Sequence, residues 1–423
     1  MNRIDWFKNA RFGMFIHFGL YSLYGKGEWV RSIEHIDEKD YLPYFDMFDP
    51  DIDFKYIAKL AKNAGMKYIV LTTKHHEGFC LFDSKYTDFK VTNTKVKKDL
   101  VKEFVEACRE EGLKVGLYYS LLDWHHPDYP SYNDRHHPLR GILKDDGKNF
   151  DNYLDFMHHQ VEELCTNYGK IDIMWFDFSY DDMVLEKWKA TELVTMVRKL
   201  QPGIILNSRL AVNGENHNKL TFNNDDHFYA DFTCPEQIIP PFGLQDENGN
   251  DVNWEACVTM NDNWGYYDGD ENYKLSSQII KKLIECVSKN GNMILNIGPD
   301  GNGKVPKQQI KILEEIGQWM KVNHESIYHC GRSYLPKPEN GRITQNGNIL
   351  YYHIYESALT DVPLYGIEKD RVAHIYRLMD NKELKVEDNW IVNNYPDITF
   401  VKVSDKAYLP DELDTIVKIV YKE

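Results

Sequence analysis

No stretch of this 423-residue chain approaches the ~20 uninterrupted apolar residues that a membrane-spanning helix needs, so no membrane span is expected. No C-x-x-C pair occurs. The seven cysteines (Cys80, Cys108, Cys165, Cys234, Cys257, Cys286, Cys330) are odd in number and scattered, which points away from a zinc site or a disulfide framework and toward buried free thiols. Positive charge is in deficit: 50 Lys and Arg against 66 Asp and Glu leave a formal charge of −16. Nucleic-acid binding, which rests on Lys and Arg neutralising phosphates, is therefore not expected, and an uncharged substrate fits better. The opening Met-Asn-Arg-Ile-Asp-Trp-Phe-Lys lacks the basic-then-apolar leader of a secreted protein, so a cytoplasmic chain is expected. Internal repeats and low-complexity segments are absent too.

What is present is a strand–helix alternation. Strand-like runs lie at residues 12–22, 68–73, 114–120, 171–177, 203–208, 254–260 and 293–298. Apolar residues at helical spacing fall between most of them, among them Ile57, Leu60, Ala61 and Ala64; Leu100, Phe104, Ala107 and Cys108; Leu154, Met157, Val161 and Leu164; and Ile279, Ile280, Leu283 and Val287. Repeated strand-then-helix units imply parallel pairing with right-handed crossovers. Seven or eight of them in some 330 residues suit a (β/α)8-like barrel of the TIM type, irregular around residues 210–253, better than an open sheet. A last helix is expected over 306–322, with Pro306 at its first turn. Beyond it the texture becomes β-rich at 350–355, 372–378, 398–403 and 415–421, with Asn346-Gly347 as a turn signal. The expected organisation is a barrel over 1–333 and an antiparallel β-sandwich over 334–423.

The chemistry centres on Asp177, a carboxylate at the end of the apolar run Ile-Asp-Ile-Met-Trp-Phe-Asp (171–177). The carboxyl ends of barrel strands open onto the face where such folds do chemistry. A strand-terminal Asp also serves as a cap or ion-pair partner, and the segment alone does not choose. Other strand ends carry His17, His75 with His76, Tyr119 with Tyr118, and Asn207 with Arg209. Imidazoles, phenols and indoles grip hydroxyls and apolar sugar faces, and Trp29 and Trp264 can supply stacking surfaces. Four His-His pairs (75–76, 125–126, 136–137, 158–159) raise a metal reading. Neighbouring residues on a strand diverge, however, and no carboxylate-supported His spacing occurs, so neither metal nor cofactor is expected.

Long segments then become recognisable. Residues 6–22 (WFKNARFGMFIHFGLYS), 68–84 (YIVLTTKHHEGFCLFDS), 116–124 (GLYYSLLDW), 172–177 (DIMWFD), 234–237 (CPEQ), 259–266 (TMNDNWGY) and 288–299 (SKNGNMILNIGP) resemble, in order, the α-L-fucosidases of glycoside hydrolase family 29. The final β-rich segment resembles that family's sandwich. The resemblance implies a retaining exo-glycosidase that releases L-fucose from fucosylated oligosaccharides through a covalent fucosyl-enzyme. By that resemblance Asp177 is the nucleophile and Glu236 the acid/base, with Glu28, Glu255 and Asp226 as alternatives. His17, Glu28, Trp29, His75, His76, Tyr119, Arg209 and Trp264 are the implied fucose-binding residues, Tyr119 being preferred over Tyr118 on strand phase. The chain departs from the family pattern at Phe178, where Gly often follows the nucleophile, and bulk there is expected to narrow the pocket. It departs again at Asn-Ser-Arg-Leu around Arg209. A catalytically silent fucose-binding protein and a metal-dependent barrel hydrolase are the competing readings; a homo-oligomer is left open.

Overall fold

The computed structural model describes residues 2–131, 134–142, 147–212, 228–246, 248–359, 361–390 and 392–422. Seven parallel strands form one curled sheet: β1 (Phe12–Ile16), β2 (Tyr68–Lys74), β3 (Lys114–Ser120), β4 (Ile173–Asp177), β5 (Ile205–Leu206), β6 (Glu255–Thr259) and β7 (Asn292–Ile297). Their order is β5-β4-β3-β2-β1-β7-β6. Each falls on an apolar run that the sequence marks as a strand. The first run is cut short, because the chain leaves the sheet after Ile16 and coils into a helix at Leu20–Tyr24, where the carboxylate of Glu77 accepts from the Leu20 amide (2.9 Å).

An eighth stave, at residues 232–236, lies outside the expected strands. It bridges in parallel from Asn207 to Phe232 on one side, and from Thr233 to Trp254 and Glu236 to Cys257 on the other. The Cys257 amide donates to the Pro235 carbonyl (3.1 Å) and the Gln237 amide to the Cys257 carbonyl (2.9 Å), so the segment closes the ring between β5 and β6. Pro235 has no N–H to give a regular ladder, which is why the stave makes isolated bridges rather than a strand.

The barrel interior obeys the period of two. Phe15, Val70, Tyr118, Ile173, Trp175, Ile205, Phe232, Cys234, Cys257 and Ile294 pack there as one buried cluster. The outward residues meet the helices Phe54–Asn63, Leu100–Glu110, Phe150–Thr166, Ala190–Leu200, Ser276–Val287 and Lys307–Asn323. Asp53 and Asp99 cap the first two of these by accepting from the Tyr56 and Lys102 amides (2.9 Å each).

After the last helix, β8 (Gly331–Arg332), β9 (Gly341–Asn346), β10 (Ile349–Ile354), β12 (Val372–Arg377), β13 (Lys382–Glu383) and β15 (Thr415–Tyr421) form a six-stranded antiparallel sheet. It faces the two-stranded sheet of β11 (Val362–Tyr365) and β14 (Ile398–Val401) across a core that includes Leu350, Tyr352, Leu364, Val401, Val417 and Ile419. The six-stranded sheet begins with β8 at Gly331. The sandwich rests on the barrel's outer helices: the Arg342 guanidinium pairs with Glu285 (3.0 Å), and the Tyr351 hydroxyl donates to Glu325 (2.6 Å). Among the described residues, no helix is long and apolar enough to cross a membrane.

Candidate active site

At the carboxyl ends of the strands the inward-facing residues enclose a small cavity. Its lining comprises Phe15, His17, Trp29, His75, His76, Tyr118, Trp175, Asp177, Phe178, Arg209, Glu236, Cys257 and Trp264. The period that buries Ile173 and Trp175 brings Asp177 inward two residues later. The same rule on the eighth stave, Phe232 then Cys234 then Glu236, brings in the second carboxylate.

Arg209 joins them. Its Nη1 donates to Asp177 Oδ1 (3.0 Å) and its Nη2 to Glu236 Oε2 (2.7 Å), while its guanidinium lies 5.0 Å from the Trp175 ring. β5 is only two residues long, and a side-chain clasp extends its hold on β4: Asn207 accepts from the Phe176 amide (2.9 Å) and donates to the Phe176 carbonyl (2.8 Å). Asn207 thus fixes the turn that carries Arg209 and does not itself line the cavity. Asp177 also accepts from the Tyr118 hydroxyl at Oδ2 (2.8 Å), with His76 Nε2 4.0 Å away. Burial pushes the Asp177 carboxyl above its ordinary range, with Arg209 opposing and Glu236 reinforcing that rise.

The histidines are held neutral. Burial lowers His17 to about 4 and pushes His75 and His76 well below the usual imidazole range. His17 Nδ1 sits 2.7 Å from Asn296 Oδ1, and because Asn296 Nδ2 already donates to the Trp264 carbonyl, Nδ1 is the donor. His76 Nδ1 likewise donates to Ser120 Oγ (2.7 Å), whose own proton goes to the Leu122 carbonyl. Each ring therefore keeps Nε2 as an acceptor for a hydroxyl. Trp264 lies against His17, with centroids 5.1 Å apart, and Trp29 against His76 at 4.7 Å.

Two expected site residues sit elsewhere. β3 pairs Tyr118 with Trp175 and Tyr119 with Phe176, so Tyr118 shares the inward face and Tyr119 points to the helix layer. There Tyr119 donates to Gln160 (2.8 Å). The preference for Tyr119 is thus corrected to Tyr118 by the register. Glu28 is buried behind the wall, where its Oε2 accepts from the Gly265 amide (2.7 Å) and braces the Trp264 loop; burial raises it to about 7. Of the alternative acids, Glu255 lies at the barrel's opposite end, accepting from Tyr68 and from Trp175 Nε1 (3.4 Å). Asp226 falls outside the described residues.

Sequence reasoning did not reach Phe15, Trp175 or Cys257 as lining; once Asp177 is inward, Trp175 follows by the period of two. Of the His-His pairs only His75–His76 lines the cavity. Among the described residues, no three His, Cys, Asp or Glu side chains gather in a metal-binding cluster.

Comparison with known proteins places this geometry. A family model described as alpha-L-fucosidase matches residues 2–325. The alpha-L-fucosidase of Dictyostelium discoideum is 28% identical over 353 residues, 76% of this chain and 71% of that protein. Alpha-L-fucosidase isoenzyme 1 from Paenibacillus thiaminolyticus is 50% identical, with a TM-score of 0.96 over 100% of this chain and 99% of that one. A GH29 alpha-L-fucosidase from Bacteroides thetaiotaomicron, solved as a trapped covalent intermediate with 2-fluoro-fucosyl fluoride, is 29% identical, with a TM-score of 0.85 over 100% and 96%.

Proposed function

The chain belongs to the alpha-L-fucosidases of glycoside hydrolase family 29, retaining enzymes that hydrolyse terminal α-L-fucosyl linkages, and we propose that Asp177 is its nucleophile and Glu236 its acid/base. The observation that carries the assignment is the Arg209 bridge. One guanidinium that donates to both holds the two carboxyls as neighbours on one cavity, as a pair flanking a single glycosidic bond must be.

In the first step an Asp177 oxygen attacks the anomeric carbon as the glycosidic C–O bond breaks. Glu236 gives its proton to the departing oxygen. The product is a fucosyl ester of Asp177 and a free alcohol. In the second step Glu236 takes a proton from water, whose oxygen attacks the same carbon and releases Asp177, so two inversions give retention. Arg209 couples the steps. While Asp177 is ionised, two carboxyls share one cation and Glu236 can hold a proton. Once Asp177 is esterified, the cation is left to Glu236 alone, which favours the carboxylate needed as base.

His17, His75, His76 and Trp29 are proposed to hold the fucose hydroxyls, and Trp264, Phe15 and Trp175 its apolar face. Such an aromatic and imidazole-rich lining suits an uncharged sugar, and the −16 net charge disfavours phosphate backbones. The cytoplasmic assignment has the support of seven free, buried thiols, as a reducing compartment keeps them.

Two variants test the roles. Asp177→Gly should lose turnover by at least about a thousandfold while still folding; near-normal hydrolysis of an aryl fucoside would sink the nucleophile. Glu236→Ala should slow poor leaving groups far more than activated aryl fucosides. Equal slowing of both would transfer the acid role to another carboxyl.

A further inference from the structure

Phe178 follows the nucleophile with φ +82°, a conformation that glycine adopts freely and a phenylalanine does not. Backbone held there is retained when the surroundings over-determine it, and such residues gather at functional sites. Three rings do so here: the centroid of Phe178 lies 5.5 Å from Trp29, 5.1 Å from His76 and 5.0 Å from His136.

Trp29, His136 and Phe178 are half-buried, whereas His17, His75, His76, Tyr118 and Asp177 below them are buried. They form an outer arc at the rim, in which Trp29 also reaches the sugar-gripping layer below. Going round the barrel, Trp29 follows β1, His136 follows β3 and Phe178 follows β4, while Glu236 stands beyond Arg209 on the eighth stave. The Phe178 ring turns from β4 toward Trp29 and His76, so the arc lies across the mouth from the acid/base. Glu236, with 38% of its side chain exposed, marks the side on which the leaving group departs.

The arc is also built to stay in place. His136 rides on a segment fixed by Asp134, which accepts from Trp124 Nε1 (3.0 Å) and the His136 amide (2.7 Å). Arg140 reaches back to Ser32 Oγ (3.3 Å), and the His35 ring donates to the Pro138 carbonyl (2.9 Å).

We propose that Phe178, seated against Trp29 and His136, sets the enzyme's selectivity for the fucosyl unit itself: it closes the side opposite Glu236, so that fucose carrying a substituent on the hydroxyls of that side is refused. The inference rests on Asp177 and Glu236 as the catalytic pair. The leaving group must point toward Glu236, so the arc meets the non-anomeric hydroxyls. A side chain there is a wall; a glycine is a gap.

The test uses 4-nitrophenyl α-L-fucoside and its 2-, 3- and 4-O-methyl ethers, with kcat/KM for each ether expressed relative to the parent. The native enzyme should hydrolyse the parent and refuse at least one ether. In Phe178→Gly the relative value for a refused ether should rise at least tenfold, and in Phe178→Tyr, which restores the ring, it should not. Gly suits the +82° backbone, and a thermal melt verifies that the variant is folded. Relative values that stay within twofold of native for all three ethers would overturn the inference, whether the parent slows or not. A native enzyme that leaves the parent intact would instead overturn the catalytic reading beneath it.

Discussion

Replacing Arg209 with Gln removes the one cation that two carboxyls share, and its effect can be worked out from the geometry. Arg209 Nη1 lies 3.0 Å from Asp177 Oδ1, and both side chains are nearly inaccessible (8% and 12%). At an effective dielectric of about 20, unit charges some 4 Å apart interact by about 4 kcal/mol. That is close to the ~3–5 kcal/mol lost when one member of a buried pair is deleted. At 1.36 kcal/mol per pH unit the Asp177 carboxyl should rise by roughly two to three units. Burial already pushes it up, so the change adds to an existing shift. The sign follows: attack needs ionised Asp177, activity appears as pH rises through its pKa, and a higher pKa moves the acidic limb to higher pH. The assay is kcat/KM for an aryl fucoside from about pH 4 to 9. The acidic limb of Arg209→Gln should lie about two units above native, with activity partly recovered at the alkaline end. A limb within half a unit of native would refute the claim that Arg209 keeps Asp177 ionised.

Tyr118→Phe removes a hydrogen bond to a carboxylate of the kind that contributes ~1.5–3 kcal/mol, so kcat/KM should fall about ten- to a hundredfold, whereas Tyr119→Phe should change stability but not the pH profile. Equal kinetic losses would contradict the inward phase of Tyr118. Glu255, raised by burial to about 7, stays protonated in the fold where the unfolded chain has ionised, so stability is full below about pH 4.5 and is lost as pH rises through 7. That loss is about 3 kcal/mol, and Glu255→Gln should remove it. Melting curves of native and variant should diverge in the variant's favour between pH 5 and 8; parallel curves would dismiss the raised carboxyl.

Seven of the eight staves were legible because each is a largely buried, mostly apolar run bounded by helical periodicity, the pattern that a covered parallel sheet imposes. The eighth was not: Phe232–Glu236 contains a proline, makes isolated bridges and borrows its neighbours' amides. The two carboxylates were legible as residues but not as a pair, since they end two separate staves and Arg209 reaches both from the turn after a third. Strand phase decided Tyr118 against Tyr119, and phase depends on pairing with β4, which two adjacent tyrosines cannot reveal. Glu28 shows the converse. Its residue type suits a sugar hydroxyl, yet its place behind Trp264 makes it a brace. Phe178 stood out in the sequence as bulk beside the nucleophile; that the bulk is held at a positive φ emerges only from the backbone.

His75 and His76 are adjacent, and on a regular strand they would point to opposite faces. They reach the same cavity because β2 ends at Lys74, just after its register with β3 slips between Thr72 and Lys74, and the chain then turns at His76 and Glu77, so neither imidazole follows strand phase. Beneath that slip lies an ion pair that touches no substrate-facing group: Lys74 Nζ is 3.0 Å from Asp123 Oδ2, with the two side chains 0% and 2% exposed. Lys74 lies over the Tyr119 ring, and Asp123 Oδ1 accepts from the His125 and His126 amides (3.0 and 2.8 Å). The turn after the histidines closes at Gly78, φ +86°, where a Cβ would stand 2.3 Å from Asp123 Oδ1. A buried pair of this kind gains little net stability over apolar packing. Its effect is positional: with the Trp124 amide donating to the His76 carbonyl (2.8 Å), it ties the end of β2 to the segment after β3. Two imidazoles that the strand would separate are thereby held side by side, with His76 facing Asp177.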